Sequence, residues 1–453
     1  MTRRFVGLSL TLPFLGVLSC SDDATTAITA DVSADMATAD ADPADAPSDD
    51  VAIEVVATVT GAPAVAEAGA AISLQVETVP PTSGLAVTAT VNAGGGTVPP
   101  AAMTTDGDGR SALQWTLGAL PIPQRLTVEV GGVVHLVEVD ATLDTPLSST
   151  AFGDVATYFE AEVLEGSTED LVFARDALVL GAPGGLLAVD AAGAVSRVVL
   201  SGEVPARGWG VASHPDGTLW VVDSAAQRLT RVDTAGVVKS VLSADGADAF
   251  NGLNDVEVGP DGRVYASDPC LGRVVRVNVD TDQQDGSLGF DRAKQGGPNG
   301  MAFDSAGRLY VSTENTVLLC GQDVAAYDAP LAGVYRADVS GDGFGALEPI
   351  QEGLGVFGDG MAFDRDGNLY VIIDTVNGVA IGESAVWVLP GGDGPARKAV
   401  VAPPGILYAN LAFGRGDFGP TSLYLCLLSA APLTGPESLG LHRLEVGVEG
   451  APR

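Results

Sequence analysis

Asn299-Gly300-Met301-Ala302-Phe303-Asp304-Ser305-Ala306-Gly307-Arg308-Leu309-Tyr310 and Asp359-Gly360-Met361-Ala362-Phe363-Asp364-Arg365-Asp366-Gly367-Asn368-Leu369-Tyr370 are two copies of one phrase. Asn254-Asp255-Val256-Glu257-Val258-Gly259-Pro260-Asp261-Gly262-Arg263-Val264-Tyr265 is a third. Each runs from a polar residue through a short apolar strand to a turn of Asp, Ser and Gly, then into a second strand that carries an aromatic. Repetition at this period marks one supersecondary unit stacked several times, as in a propeller or solenoid. Weaker copies open at Glu169-Asp170-Leu171, Trp209-Gly210-Val211 and Asn410-Leu411-Ala412. The openings at 169, 209, 254, 299, 359 and 410 are spaced by 40, 45, 45, 60 and 51 residues, about one four-stranded antiparallel unit each. The expected fold is all-β, a six-bladed β-propeller over 150–453. A strand over 157–163 is expected to complete the last blade, so that no long edge stays exposed. The longer spacing after Asn299 predicts an inserted loop from Thr316 to Leu331.

Working outward, the 453 residues suggest two or three domains. A formal charge of -35 excludes a nucleic-acid partner on electrostatic grounds. Residues 1–20 read as a secretory signal: Arg3 and Arg4 precede an apolar stretch too short to span a bilayer comfortably. Its end, Val17-Leu18-Ser19-Cys20, resembles the bacterial lipoprotein processing box. The resemblance implies a lipidated Cys20 and a lipid-anchored place in the bacterial cell envelope, at the outer membrane or cell surface. Residues 21–50 hold nine Asp and no Lys or Arg, the composition of a disordered acidic linker. Residues 51–145 carry alternating strands over 73–79, 85–92, 111–117, 125–130 and 133–139, which predict a β-sandwich. The run from Thr105 to Gly118 resembles bacterial Ig-like domains of the invasin type, with Trp115 at the expected core. Asp106-Gly107-Asp108-Gly109 within it reads as a turn. Three cysteines remain in an exported chain, so one bridge at most is expected. Cys270 and Cys320 follow equivalent strands of neighbouring repeats and are the candidate pair; Cys426 reads as a buried apolar residue.

In a propeller the strand-opening residues meet at one mouth. Glu169, Asn254, Asn299 and Asp359 would bring two carboxylates and two carboxamides there, a donor set suited to a divalent metal of which calcium fits best. No His or Cys opens a repeat, which argues against zinc.

Asn254-Asp255 before a Pro-Asp-Gly-Arg turn, Pro298-Asn299-Gly300 and Asp359-Gly360-Met361 are similar to the blade motifs of the gluconolactonase/regucalcin family. Glu169-Asp170-Leu171 also resembles the related paraoxonases and strictosidine-synthase-like propellers. The resemblance implies a divalent metal held by Glu169, Asn254, Asn299 and Asp359, and hydrolysis of lactones or related esters. In the paraoxonase branch the positions of Asp170 and Asp255 hold a second, structural metal. Two departures stand out: Gly252 replaces an Arg that grips sugars in the family, and Trp209 stands where paraoxonases carry His. Asp359 is the expected general base with Glu169 second, and Trp209 an apolar wall for substrate. The expected protein is thus an exported, lipid-anchored, metal-dependent hydrolase of small lactones or esters, reaching the membrane through its lipid and acting as a monomer. The alternative is a non-enzymatic surface propeller that binds protein or glycan around a structural metal.

Overall fold

The computed structural model describes residues 55–452 apart from 101–102, 163–167, 317–319, 321–328, 330, 342, 378–379 and 430–437. The expected signal with Cys20 and the acidic linker lie outside the described residues, as does most of the predicted 316–331 loop. The described chain is nearly all-β, with a single α-helix at Val155–Glu162.

The first strands form two sheets. One orders Val56–Thr60, Ala71–Val79 and Arg110–Thr116; the other orders Val65–Glu67, Val133–Thr142, Pro123–Val130, Ala86–Ala93 and Met103–Thr104. Along Ala71–Val79 every second residue is buried, the period-two pattern of a strand with one face in a core. Leu74, Val76, Leu113 and Trp115 from one sheet meet Leu126, Val128 and Val139 from the other in one apolar cluster. Asp106 Oδ1 accepts the main-chain hydrogens of Asp108 and Arg110 at 2.9 and 2.8 Å, so Asp106-Gly107-Asp108-Gly109 is a turn, as its sequence reads.

Four-stranded antiparallel meanders follow, the second of them extended by Ser201–Gly202, which pairs parallel to Val237–Leu242. Their innermost strands are Leu171–Ala174, Gly208–Ser213, Val256–Val258, Gly297–Phe303, Phe357–Phe363 and Ile406–Phe413. The fourth and fifth meanders join into one eight-stranded sheet through a single pair, Glu314 with Phe357. Each innermost strand touches the next, and Ile406–Phe413 touches Leu171–Ala174, so the succession closes on itself. The approach is close enough to require glycine. A Cβ at Gly300 would stand 2.3 Å from the Asp359 carbonyl oxygen, and one at Gly210 would stand 2.7 Å from that of Asn254.

Closure of the last sheet differs from expectation. Thr150–Phe152 supplies its fourth strand, with Ala151 opposite His442, whereas 155–162 is helical. Val155 and Phe159 explain the change. They lie four apart, on one helical face, and both are buried. Val155, Thr157, Phe159 and Ala161 also alternate, which reads as a strand in sequence, but Thr157 and Ala161 are exposed and only the four-residue spacing is buried.

The two-sheet module is packed onto the meanders. Leu120 and Ile122 are fully buried in one cluster with Ala399, Val400, Leu444 and Val446. Arg397 reaches back with Nη1 and Nη2 to the two Asp140 carboxylate oxygens at 2.6 and 3.0 Å. The Gly94 amide donates to Asp366 Oδ2 at 3.0 Å.

Candidate functional site

Strand register decides which side chains share a level. Leu171 pairs with Leu180, Val211 with Val221, Val256 with Ala266, Met301 with Val311, Met361 with Val371 and Leu411 with Leu425. Two residues before each of these stand Glu169, Trp209, Asn254, Asn299, Asp359 and Ala409. The last opening is therefore Ala409; Asn410 is the counterpart of Gly360. At Gly208/Val211, Pro298/Met301, Gly358/Met361 and Tyr408/Leu411 the pairing slips by a bulge. A bulge re-aims one side chain without ending the sheet, and here it falls at Trp209, Asn299, Asp359 and Ala409.

Asn254 and Asn299 are buried, while Glu169 and Asp359 keep partial contact with solvent amid dense protein. Electrostatics places the carboxylates close together. Burial pushes the Asp359 pKa well above the ordinary carboxylate range, and the charges of Glu169, Asp374, Glu314 and Asp255 push it further. Glu169 is raised to about 7 by burial, with the Arg207 guanidinium opposing and Asp255 adding to the rise. Glu314 is raised well above its usual value by burial and by Glu169, although the Asn299 amide donates to it. Asp374 is raised to about 7 by burial, tempered by a hydrogen bond from Ser384.

Glu314 and Asp374 were not legible as site residues. They lie on the second strands of neighbouring meanders, four positions beyond Tyr310 and Tyr370, and that shared offset was the signal available.

Several buried polar atoms at this level have no hydrogen-bond partner among the described residues: Glu169 Oε2, Asn299 Oδ1, Glu314 Oε1 and Asp374 Oδ1. Leaving a buried acceptor unpaired costs about 1–3 kcal/mol. Three carboxyl oxygens and one carboxamide oxygen are the donor type that a hard cation takes. Among the described residues no group of three or more His, Cys, Asp and Glu side chains is arranged to hold a metal. The set read from sequence is of another composition, because two of its four donors are carboxamides.

Asp170 and Asp255 have a structural task. Asp170 accepts the amide hydrogens of Leu171 and, in the next sheet, Val211, both at 2.6 Å. Asp255 Oδ2 accepts the Met301 amide hydrogen of its own next sheet at 2.9 Å. Burial, then Asp170 and Glu257, raise the Asp255 pKa well above its usual value. Replacing Asp255 by Ala leaves the buried Met301 amide without its acceptor and is expected to cost about 1–3 kcal/mol in urea unfolding. Asp255→Asn keeps an acceptor, sheds the repulsion and should cost less; equal costs would refute the staple.

Gly252 has a local cause. Cys270 and Cys320 form a disulfide with Cα atoms 5.4 Å apart, and a Cβ at 252 would lie 2.4 Å from the Cys270 sulfur. The bridge takes the space an Arg would need. Trp209 is partly buried against the cluster of Phe250 and Leu253, and its indole N–H has no partner among the described residues. Cys426 is a buried free thiol whose pKa is raised by burial and then by Asp170, Glu169 and Asp359.

Residues 207–385 match the family model described as SMP-30/Gluconolactonase/LRE-like region. The match takes in Asn254, Asn299 and Asp359, and it leaves out Glu169. A gluconolactonase of Zymomonas mobilis is 26% identical over 217 residues, which is 45% of this chain and 57% of that protein. The chain thus spans little more than half the length of this curated relative. Among solved structures, a gluconolactonase from Xanthomonas campestris superposes with a TM-score of 0.46 at 18% identity, covering 63% of this chain and 87% of that one. A luciferin-regenerating enzyme superposes with a TM-score of 0.45 at 14% identity, covering 68% of this chain and 97% of that one.

Proposed function

We propose that residues 150–453 are a six-bladed β-propeller acting as a divalent-metal-dependent hydrolase of small lactones or related esters. An Ig-like sandwich at 51–145 precedes it, and a lipidated Cys20 holds the exported chain to the cell envelope by an acidic linker. The observation that carries this reading is the set of unpaired acceptors around Glu169 and Asn299, at the level shared by Asn254 and Asp359. The family match over residues 207–385 supports the choice of substrate class.

Glu169, Asn254, Asn299 and Asp359 would hold the metal, and calcium is the ion we assign. When bound, such an ion supplies Lewis-acid polarisation of an ester carbonyl. The remaining work belongs to the chain. Asp359 takes a proton from the attacking water as general base. Glu169 is the second candidate for that proton. Glu314 orients Asn299 by accepting from its amide, which leaves the carboxamide oxygen free. Trp209 stands at the same level as a wall for an apolar ring substituent. Asp170 and Asp255 are read as staples between sheets rather than as a second metal site, because their oxygens already accept main-chain hydrogens.

The test is lactone turnover by the purified protein over a panel of ring sizes, with chelator and after calcium is restored. Turnover that disappears on chelation and returns with calcium is expected. Lactone turnover indifferent to chelator would remove the metal from the mechanism.

A further inference from the structure

Away from the mouth, the start of the closing strand carries a second constellation. Ser149 Oγ lies 2.7 Å from His442 Nδ1 and 2.8 Å from the Tyr408 hydroxyl. His442 is on Ser438–Glu445 and Tyr408 on Ile406–Phe413, two strands of the last sheet, while Ser149 comes from the segment that precedes Thr150–Phe152. Three parts of the chain remote in sequence therefore converge on one hydroxyl. Ser149 also lines a cleft of about 550 Å³ with Leu147, Val401, Ala402, Pro403 and Glu383. Clefts of this size accept small organic ligands. The wall is mostly apolar, and its one acid, Glu383, is paired with Lys398 at 2.5 Å.

From this geometry we infer that Ser149 is an activated nucleophile with His442 as its base, forming a second ester-cleaving site in this cleft. A serine hydroxyl within 2.6–3.2 Å of an imidazole nitrogen is the working arrangement of nucleophile and base. The hydrogen-bond chain has a definite direction. Burial lowers the His442 pKa from 6.5, so Nδ1 is free to accept the Ser149 proton. Burial raises the Tyr408 pKa, so the phenol stays protonated and donates.

In the first step Ser149 Oγ bonds to the ester carbonyl carbon, its proton passes to His442 Nδ1, and the carbonyl π pair moves to oxygen beside the Tyr408 O–H. The C–O bond to the leaving alcohol then breaks, and that alcohol takes the proton from His442. Water repeats the sequence on acyl-Ser149, giving a carboxylic acid and the free serine. The net reaction is ester plus water to acid plus alcohol, and no other reactant is needed. The preferred substrate is an uncharged ester with a small apolar acyl group, since among the described residues that line the cleft none is a cation free to hold an anion.

The experiment treats the full chain, with its metal, with a fluorophosphonate probe and maps the adduct by mass spectrometry. One adduct on Ser149 is expected, unaffected by chelator, and absent in Ser149→Ala. His442→Gln should slow labelling by about 100-fold or more, the lower bound for a lost general base. These residues also tie down the closing strand, so the wild-type protein supplies a check free of folding effects: its labelling rate should fall at acidic pH, below the ordinary histidine range, once the imidazole protonates. Absence of an Ser149 adduct in the folded wild-type chain overturns the proposal, as does a rate that ignores pH. The mouth stands or falls separately, because only its lactone turnover should respond to chelation.

Discussion

Replacing Asp359 by Asn is expected to lower kcat/KM for lactones by about 10²–10⁴-fold, the usual worth of a positioned general base. The same substitution should leave the metal-free protein at least as stable as the wild type at pH 7.5. Both follow from one fact. Asp359 is surrounded by Glu169, Asp374, Glu314 and Asp255, and its ionisation is opposed by burial and by each of those charges. A neutral carboxamide of the same shape removes the repulsion and the base together. Loss of activity by unfolding would lower the thermal midpoint, whereas loss of the base should not. Thermal unfolding in chelator, beside turnover in calcium, separates the two. A variant that keeps wild-type lactone turnover would falsify the assigned base, and a lower metal-free midpoint would show that the carboxylate stabilises the fold instead.

The parts of this molecule legible in its sequence are those set by short-range geometry. Asp304 and Asp364 each accept two main-chain hydrogens from the residues two and four further on, at 2.9–3.0 Å, so the turn at the heart of the repeated phrase is closed by its own Asp. The aromatic that follows packs next door: Tyr310 against Phe363, and Tyr370 against Phe413, with ring centres 5.0 and 5.1 Å apart. A local turn and a packed aromatic recur in every strong copy, and they were enough to find the meanders. What was not legible depends on register between strands. The bulges that re-aim Asn299 and Asp359 leave no mark in composition. Glu314 and Asp374 join the site from second strands, at a position that only pairing brings level with Gly297 and Phe357. Likewise Leu120 and Ile122 sit in a connection between strands, where apolar residues predict nothing until Ala399 and Val400 are found against them. The closing strand was misplaced because three paired residues suffice for it, too few to generate a period.

The pH dependence of the metal-free protein tests the whole carboxylate cluster at once. Glu169 and Asp374 titrate near 7 in the folded chain, against the ordinary 4.5 and 3.8. Between those limits the folded state binds more protons than the unfolded one, so stability falls as pH rises through this window. The urea midpoint in chelator should therefore be higher at pH 5 than at pH 7.5, the reverse of acid denaturation driven by salt-bridged carboxylates. Calcium inverts the balance, since a cation favours the same ionised groups that burial disfavours. Its affinity should rise with pH across the window and its binding should release protons, detectable as a buffer-dependent heat. At 100 times its dissociation constant the ion would add about 2.7 kcal/mol to stability. Glu169→Gln should abolish that increment and flatten part of the pH slope, because the group that titrates is also one that binds. A urea midpoint that does not change from pH 5 to 7.5 in chelator would mean that folded and unfolded chains bind equal numbers of protons across this window, so that burial does not oppose ionisation of the cluster and a cation has nothing to relieve.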